Sequence, residues 1–260
     1  MESLYVIKIG GNIVDNPALL TECLTAFAAI KGQAILVHGG GKLATSLAQD
    51  MGVEQTMIEG RRVTDAETLK IVTMVYAGVI NKNIVAQLQA IGVNAIGLTG
   101  ADGNLIQAHK RVHASIDYGF VGDVDGVNKE LVQTLLSSQM KLVIAPITHD
   151  GNGQLLNTNA DTIAQSIAVA MSAHYDVHLI YGFEKEGVLL DVNNPNSIIA
   201  KIDQPGYTKL KEDKIIFEGM VPKIDNAYLA LAGGVQSVMI GNAEKMNELI
   251  NGTAGTTIKI

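Results

Sequence analysis

Two glycine turns are the first candidate binding sites in the sequence. Gly10-Gly11 follows an apolar run that ends at Ile9, and Gly39-Gly40-Gly41 follows a second apolar run and opens a helical pattern. Glycines there let backbone N–H groups approach a phosphate or carboxylate closely, and a helix N-terminus favours negative charge. A single turn of this kind could be a plain tight turn, but two after successive strands favour anion binding.

Two lysines occupy positions that are unfavourable unless an anion is nearby. Lys8 lies in an otherwise apolar run beside the first glycine turn, where its ammonium group would lose hydration. Lys223 follows Pro222 at the start of a predicted helix, where its charge opposes the helix dipole. Solvated lysines, one of them on an edge strand, would also explain both positions.

Polar residues precede two further predicted helices. Asn159 and Asp161 stand at the start of an apolar helical pattern, where helix capping explains them at least as well as catalysis does. Arg61 and Arg62 precede another helix, and one guanidinium group could bind a carboxylate through two hydrogen bonds. A surface ion pair is the simpler alternative for these arginines.

Several classes of protein are excluded or disfavoured by what the sequence lacks. It contains neither G-x-x-x-x-G-K-[ST] nor G-x-G-x-x-G, which argues against an ordinary P-loop enzyme or a dinucleotide-binding oxidoreductase. Cys23 is the only cysteine and the six histidines form no metal-site pattern, so no metal site built from side chains is predicted. The net charge of −7 argues against broad nucleic-acid binding. A strand pattern at the N-terminus and interrupted apolar runs predict no signal peptide and no membrane span, and hence a cytoplasmic protein.

The elements that must position these residues alternate along the chain. Short apolar runs and longer helical patterns follow one another through the 260 residues. This order predicts an α/β fold with a mostly parallel sheet and places both glycine turns at the carboxyl ends of strands. Residues 66–89 are predicted to form one long helix or two joined helices.

Turn signals predict how neighbouring segments pair. Asp102-Gly103 predicts a hairpin between strands 93–98 and 105–108, and residues 150–153 predict a second hairpin. Residues 191–205 are predicted to be a loop or small insertion, and residues 256–260 a closing edge strand. A boundary between two lobes, 1–173 and 174–260, is predicted where a long helix ends.

Five motifs occur in an order that resembles the amino-acid kinase family. They are K-I-G-G-N, V-H-G-G-G-K, G-R-R-V-T, N-T-N-A-D and G-M-V-P-K-I. The resemblance implies an open, mostly parallel eight-stranded sheet between helix layers, with the acceptor and the dimer contacts in lobe 1–173 and ATP in lobe 174–260. Within the family, the set resembles the branch that phosphorylates the side-chain carboxylate of an N-acylated glutamate. That activity uses ATP and Mg²⁺ and is a step in arginine biosynthesis.

The resemblance also implies roles for individual residues. Lys8 and Lys223 would stabilise the transferring phosphoryl group, and Asp161 would hold both lysines in place. Arg62 would bind the α-carboxylate of the acceptor. The other implied substrate-binding residues are Gly40, Gly41, Asn157 and Asn159. The residues implied to bind phosphate or border ATP are Gly10, Gly11, Tyr181, Phe183, Gly187, Gly219 and Met220.

Two features depart from the family pattern, and several alternatives remain open. Segment 181–185 stands where many relatives have T/S-D-V, and the N-terminal helix typical of arginine-inhibited hexamers is missing, so a homodimer that arginine does not inhibit is expected. Acetyl is the family's usual acyl group and succinyl is an alternative. Another family member, acting on aspartate, glutamate, carbamate or UMP, and a non-catalytic sensor of the same fold are the competing hypotheses.

Overall fold

Eight strands form one central sheet in the computed structural model, which describes residues 1–58, 61–216 and 220–260. Their order across the sheet is β12 (Lys201–Ile202), β14 (Thr256–Ile258), β13 (Ser237–Asn242), β11 (Asp176–Phe183), β1 (Ser3–Ile9), β2 (Gln33–His38), β8 (Lys141–Ile144), β5 (Ala95–Leu98). Neighbouring strands pair in parallel, except that β13 and β14 are antiparallel. The mostly parallel eight-stranded sheet predicted from the sequence is thereby confirmed.

Helices cover both faces of this sheet because its central strands are apolar on both sides. In β2, Ile35 and Val37 enter one core while Leu36 enters the other. Residues of α6 (Lys129–Ser137), α7 (Ala160–Met171), α8 (Gln204–Glu212) and α9 (Val221–Ala232) fill the first core. Residues of α1 (Gly11–Val14), α2 (Pro17–Ala29), α3 (Gly41–Asp50), α4 (Ala66–Thr73), α5 (Asn81–Ala90) and α10 (Met246–Ile250) fill the second.

One continuous helical stretch joins α4 to α5 through the π-helical segment Met74–Ile80. The stretch has 25 residues and a mean hydropathy of 1.3, which by length and composition alone would suffice to cross a membrane. Its Ile71, Val72 and Ile84 are nevertheless fully or almost fully buried in the second core. It is therefore accounted for as a core helix of the sheet, and the prediction of one long helix or two joined helices is confirmed.

A small four-stranded sheet closes on itself beside the carboxyl edge of the central sheet. It consists of β6 (Ile106–Lys110), β7 (Val121–Val127), β9 (Ile147–His149) and β10 (Leu155–Thr158). The β9–β10 pair confirms the hairpin predicted at residues 150–153. The hairpin predicted at Asp102-Gly103 is wrong, because β5 pairs with β8 while β6 pairs antiparallel with β7. A short 3₁₀ turn, Asp102–Asn104, connects the two sheets instead.

The C-terminal part of the sheet differs from the prediction at its edge. Strand β14 lies between β13 and β12, so residues 256–260 do not form an edge strand and that prediction is wrong. The edge strand is β12, which lies in the segment predicted to be a loop. The four strands β5, β8, β2 and β1 come from residues before 173, and β11 to β14 come from residues after it.

Candidate active site

One buried carboxylate joins two lysines at the carboxyl edge of the sheet. Lys8 projects from the central strand β1, Asp161 from the first turn of α7 and Lys223 from the first turn of α9. The Nζ atom of Lys8 lies 2.7 Å from Oδ1 of Asp161, and the Nζ atom of Lys223 lies 2.5 Å from Oδ2. The structure thus brings together three residues that are 62 and 153 positions apart in sequence.

The charges of this cluster favour an anion in addition to Asp161. Burial alone would raise the pKa of Asp161, but the positive charges of Lys8 and Lys223 outweigh this effect and hold the pKa at about 2. Burial lowers the pKa of Lys8, and the neighbouring Asp161 counteracts that change. Two ammonium groups against one carboxylate leave a net positive charge in a largely water-excluded place, where electrostatic stabilisation of an anion is strongest.

The two glycine turns pack backbone to backbone beside the lysines. The Gly39 N–H donates to the Ile9 carbonyl oxygen at 2.9 Å, and a Cβ atom on Gly11 would lie 3.4 Å from the Gly41 nitrogen. Gly40 has a φ of +155°, and a Cβ atom there would lie 2.2 Å from Cδ1 of Ile80, so only glycine fits. The first N–H groups of α3, which have no partner within the helix, therefore lie next to the first turn.

A wide cleft and a smaller cavity meet at these turns. The cleft, of about 730 Å³, is lined by Lys8, Gly10, Gly11, Phe183, Met220 and Lys223 among others. The cavity, of about 220 Å³, is lined by Gly40, Gly41, Arg62, Asn157 and Asn159 among others. The two spaces share Gly41, Met57 and Arg62, so molecules bound in each would approach one another beside the lysine cluster.

Arg62 reaches into the space between cleft and cavity from the short strand β4 (Arg61–Arg62), which pairs with β3 (Met57–Ile58). Its guanidinium donates to the Gln55 side-chain oxygen, to the Gly41 carbonyl oxygen at 2.9 Å and to Oγ1 of Thr45 at 2.8 Å. All three acceptors are neutral, and no ion pair within residues 1–58, 61–216 and 220–260 involves Arg62. The side chain is thus fixed in direction while its charge remains available to a carboxylate.

The two asparagines of the cavity have different local roles. Asn157 donates to Oγ1 of the buried Thr64 at 3.0 Å, which holds its amide against the wall of the cavity. The Asn159 side-chain oxygen accepts from the backbone N–H groups of Asp161 at 2.8 Å and of Thr162 at 3.2 Å. Asn159 is therefore the N-cap of α7, which confirms the capping interpretation, while Asp161 forms ion pairs with both lysines.

The residues predicted to border ATP are divided among different places. Phe183 and Met220 line the cleft. Tyr181 is buried below it and donates its hydroxyl to the Asp161 carbonyl oxygen at 3.3 Å. Gly187 packs away from the cleft, where a Cβ atom would lie 2.7 Å from Oγ1 of Thr256. Gly219 lies outside the described residues.

Sequence reasoning missed several residues that also line the cavity, among them Tyr76 and Arg111. Arg61 lines it as well. Arg61 was considered only as an alternative to Arg62. Arg111 follows β6 and forms a bidentate pair with Asp123 of β7, so its place depends on a strand pairing that no local pattern indicates. Tyr76 lies on the π-helical segment and packs near Gly40. No local pattern around Tyr76 indicates this contact.

The fold and site together define an α/β protein with a cleft and a cavity that meet beside a lysine–aspartate–lysine cluster, an arrangement suited to binding anions and to phosphoryl transfer. The chain matches the amino acid kinase family over residues 3–242 and belongs to that family.

Relatives and solved structures support this assignment over the full length. The chain is 53% identical to the acetylglutamate kinase of Cytophaga hutchinsonii over 261 residues, which cover 99% of each chain. It is 52% identical to the acetylglutamate kinase of Bacteroides thetaiotaomicron, again over 99% of each chain. The crystal structure of smu.665 from Streptococcus mutans UA159 has a TM-score of 0.82 at 28% identity and covers 99% of this chain and 98% of its own.

A further solved structure shows the shared fold alone. It is the N-acetylglutamate synthase of Neisseria gonorrhoeae in complex with coenzyme A and N-acetyl-glutamate, with a TM-score of 0.84 at 20% identity. The match covers 100% of this chain and 59% of the synthase chain. The fold therefore extends to proteins of different activity, and function must be argued from the site.

Proposed function

We propose that this protein transfers the γ-phosphoryl group of ATP to the side-chain carboxylate of N-acetyl-L-glutamate, a step in arginine biosynthesis. It is an ATP-dependent kinase, as its membership of the family and its full-length relatives named acetylglutamate kinase indicate. The observation that carries the proposal at the level of chemistry is the buried lysine–aspartate–lysine cluster beside the junction of cleft and cavity.

The reaction needs no general base. A carboxylate is ionised at neutral pH, so its oxygen can attack the γ-phosphorus directly. A new O–P bond forms, the bond from the γ-phosphorus to the bridging oxygen breaks, and ADP leaves with the electron pair. Catalysis then consists mainly of alignment and of neutralising charge on the phosphoryl oxygens. Lys8 and Lys223 supply the charge, and Asp161 limits the repulsion between them.

Each substrate has its own side of the site in this proposal. The acylglutamate occupies the cavity, with its α-carboxylate on Arg62 and its polar atoms on Gly40, Gly41, Asn157 and Asn159. The nucleotide occupies the cleft, with its phosphates at Gly10 and Gly11. The base side of the nucleotide then lies toward Phe183 and Met220. In terms of lobes, residues 1–173 bind the acceptor and contact the phosphates through Gly10 and Gly11, and residues 174–260 bind the rest of ATP.

Mg²⁺ fits the site as an ion that binds together with the nucleotide phosphates rather than as one held by protein side chains alone. Within the described ranges, no group of three or more His, Cys, Asp or Glu side chains could hold a metal ion. Mg²⁺ commonly keeps several waters and binds through substrate phosphates and one or two carboxylates. Among the described residues that line the cleft, Glu184 carries the carboxylate that would bind the ion. When bound, the ion would neutralise charge on the phosphates.

A homodimer and a cytoplasmic location complete the proposal. Met74 and Val79 lie on the helical stretch 66–90 with 48% and 59% of their surface exposed, and they offer an apolar face for a second copy. Light scattering of the wild type and of Val79→Asp tests this, since a dimer formed through this face would become a monomer in the variant.

The proposed location is the cytoplasm. An acidic chain with one buried cysteine suits this reducing compartment.

Release of ADP from ATP with magnesium tests the activity. N-acetyl-L-glutamate is compared with N-succinyl-L-glutamate, L-glutamate, L-aspartate, carbamate and UMP. We expect turnover with an acylated glutamate alone, and a rate lowered on the order of 10²–10³ with Lys8→Ala at the same protein concentration. The succinyl arm decides the acyl group, because an N-succinyl substrate would bring a third carboxylate, that of the acyl group, into a cavity that Arg61 and Arg111 also line.

The other outcomes would overturn the proposal in distinct ways. Turnover with another acceptor alone would move the protein to a different activity of the family. Tight ATP binding by a folded protein with no turnover on any acceptor would indicate a sensor.

A further inference from the structure

A buried histidine stands directly before the second glycine turn. His38 is the last residue of β2 and is fully buried. Its Nδ1 atom lies 2.8 Å from the carbonyl oxygen of Gly39, and its Nε2 atom lies 3.3 Å from Nδ2 of Asn81. Neither His38 nor Asn81 has a part in the binding and transfer steps described above.

Asn81 links this histidine to strands β8 and β5, which follow β2 in the sheet. It is fully buried at the start of α5, its Nδ2 also donates to the Val143 carbonyl oxygen at 3.0 Å, and its Oδ1 accepts from Nζ of Lys82 at 3.0 Å. The Lys82 ammonium donates in addition to the Gly97 carbonyl oxygen at 2.7 Å. A Cβ atom on Gly97 would lie 2.0 Å from Oδ1 of Asn81, so β5 leaves room for this side chain.

These bonds determine the protonation of the ring. A carbonyl oxygen can only accept, so Nδ1 of His38 carries the proton that bonds to Gly39. The Val143 and Lys82 contacts fix which end of Asn81 is the amide nitrogen, and that nitrogen donates to Nε2. Every polar atom of both side chains then has a matching partner. Burial lowers the pKa of His38 to about 4, with a smaller contribution from the charge of Lys82, which agrees with a neutral ring.

Holding the Gly39 carbonyl also sets the direction of the next amide. The peptide group between Gly39 and Gly40 is planar, and no cis peptide bond occurs in the described residues, so the Gly40 N–H points opposite to the Gly39 carbonyl. Gly40 lines the acceptor cavity. Glycine has few intrinsic restraints, and Gly40 is in a left-handed region with a φ of +155°, so an external restraint is needed to fix this peptide.

The π-helical segment restrains the same glycine from its other side. The position of a Gly40 Cβ atom would lie 2.2 Å from Cδ1 of Ile80 and 3.2 Å from Cδ1 of Tyr76. Both side chains belong to Met74–Ile80, directly before Asn81. π-Helical turns are rare and often occur at functional sites. One helical stretch thus contacts Gly40 by packing and reaches His38 by a hydrogen bond.

We propose that His38 and Asn81 are positioning residues that orient the Gly40 N–H toward the reacting acceptor carboxylate and phosphoryl group. The inference rests on the proposed function for the identity of the anion. The chain of contacts runs from Lys82 through Asn81 and His38 to the Gly39–Gly40 peptide. It makes the rate of phosphoryl transfer depend on side chains that touch neither substrate.

Two substitutions of His38 separate this role from a merely structural one. The side-chain nitrogen of Asn occupies a position close to that of Nδ1 in histidine, so His38→Asn keeps a donor for the Gly39 carbonyl and loses the contact with Asn81. The longer His38→Gln places its amide near the Nε2 position, so it keeps a partner for Asn81 and loses the donor to Gly39. Each variant loses one buried hydrogen bond and some volume, so a similar fall in melting temperature is expected.

The steady-state kinetics of the folded variants are the main readout. We expect His38→Gln to lower kcat on the order of 10- to 100-fold with little change in the KM for ATP, and His38→Asn to keep kcat within about fivefold of wild type. Equal kcat values for the two variants, whether both normal or both impaired, would overturn the proposal. If His38→Gln does not fold, Lys82→Met tests the exposed end of the chain of contacts. It is expected to lower kcat by about two- to tenfold, and an unchanged kcat would count against the proposal.

A spectroscopic readout separates failure of this inference from failure of the proposed function. In protein labelled with ¹⁵N-glycine, the Gly40 amide resonance should move in His38→Gln and stay near its wild-type position in His38→Asn, whatever the acceptor is. A wild-type protein that phosphorylates no acylglutamate would refute the proposed function and leave this spectral difference in place. Unmoved or equally moved resonances in an active protein would refute the positioning role alone.

Discussion

The acceptor side and the nucleotide side of the site are built differently. The acceptor cavity is small, and its polar side chains are held by partners within the protein, as Arg62 is by Gly41 and Thr45. The nucleotide cleft is more than three times as large, and beyond Phe183 its border continues into the exposed Glu184 and Lys185. The acceptor side is therefore preorganised by buried hydrogen bonds. The nucleotide side relies instead on contacts with the phosphates and on the large area that the cleft offers.

This difference predicts where substitutions act. A preorganised polar site discriminates strongly, because any loss leaves buried groups without partners. A wide and partly exposed cleft tolerates changes, since no single contact there is indispensable. The lysine–aspartate–lysine cluster lies between the two sides and serves both, so the largest effects are expected there.

Lys8→Ala should have the largest effect on catalysis. Removing one preorganised cation costs on the order of 10²–10³ in rate, and the loss should fall mainly on kcat because the charge acts on the transferring group. Steady-state kinetics with both substrates varied measure it, with the exposed Lys31→Ala as the control for loss of a lysine elsewhere. A kcat near that of the wild type would remove Lys8 from the transfer step.

Arg62→Lys should act on the acceptor side alone. Lysine keeps the charge but loses the planar fork that holds Gly41 and Thr45 while binding a carboxylate. We expect the KM for the acylglutamate to rise by about 10- to 100-fold, as for a lost charge-assisted hydrogen bond, with the KM for ATP little changed. Lys31→Arg, a charge-preserving exchange at an exposed position that lines neither the cleft nor the cavity, is the control. An unchanged acceptor KM in Arg62→Lys would exclude the proposed clamp.

The pattern of the sequence predicted the central sheet but not its irregular parts. Alternating apolar runs and helical patterns suffice for parallel strands, because burial on both faces makes such strands apolar throughout. Asp102-Gly103 is a genuine turn, with Gly103 at a φ of 58°, yet the segments on either side belong to different sheets. A turn signal is local, whereas the choice of pairing partner depends on distant burial. The edge position of β12 depends on such distant contacts too.

The site residues that could be predicted are those whose charge is unfavourable at their position in a strand or helix. Lys8 is conspicuous because a charged group interrupts an apolar strand, and Lys223 because it opposes a helix dipole. Asp161 was ambiguous, since capping explained its neighbourhood, and the structure shows that Asn159 caps while Asp161 binds both lysines. The pairing of β6 with β7 places Arg111 at the cavity, and no property of its neighbours in the sequence indicates that position.

The stability that the buried His38 contributes beside the acceptor cavity should decrease in acid. The pKa of His38, about 4, lies below its ordinary value of 6.5, so the unfolded chain takes up this proton first as the pH falls. The stability that the neutral ring contributes is complete above about pH 7 and is lost as the pH falls from 6.5 towards 4. This loss should amount to about 2 kcal/mol between about pH 7.5 and about pH 5.

Urea unfolding at several pH values measures this contribution by comparison with His38→Asn. The five other histidines are shared by both proteins, so only the difference between the two curves belongs to His38. The difference should shrink in acid as the wild type loses its advantage. Parallel curves for the two proteins would show that the buried ring does not titrate in this range, and the acceptor side would then lack the predicted acid sensitivity.

Glu186→Gln should have the smallest effect, and it should be confined to the nucleotide side. Glu186 accepts from Nδ2 of Asn242 at 2.9 Å and from Nζ of Lys245 at 2.6 Å, which ties the segment after β11 to the end of β13. Asn242 is the register partner of Phe183, which lines the cleft. Because the ion pair is partly exposed, its loss should raise the KM for ATP only about two- to fivefold.

A double-mutant cycle with Lys245→Met decides whether this pair acts as a unit and on which side. If the two single variants and the double variant raise the KM for ATP by similar factors, the effect belongs to the pair itself. The acceptor KM should stay constant throughout, because buried bonds hold Arg62 and the Gly40 turn independently of β13. A parallel rise in both KM values would contradict that independence. It would mean that the central sheet transmits changes between the two sides, and that the rigidity of the acceptor cavity depends on surface contacts of the nucleotide side.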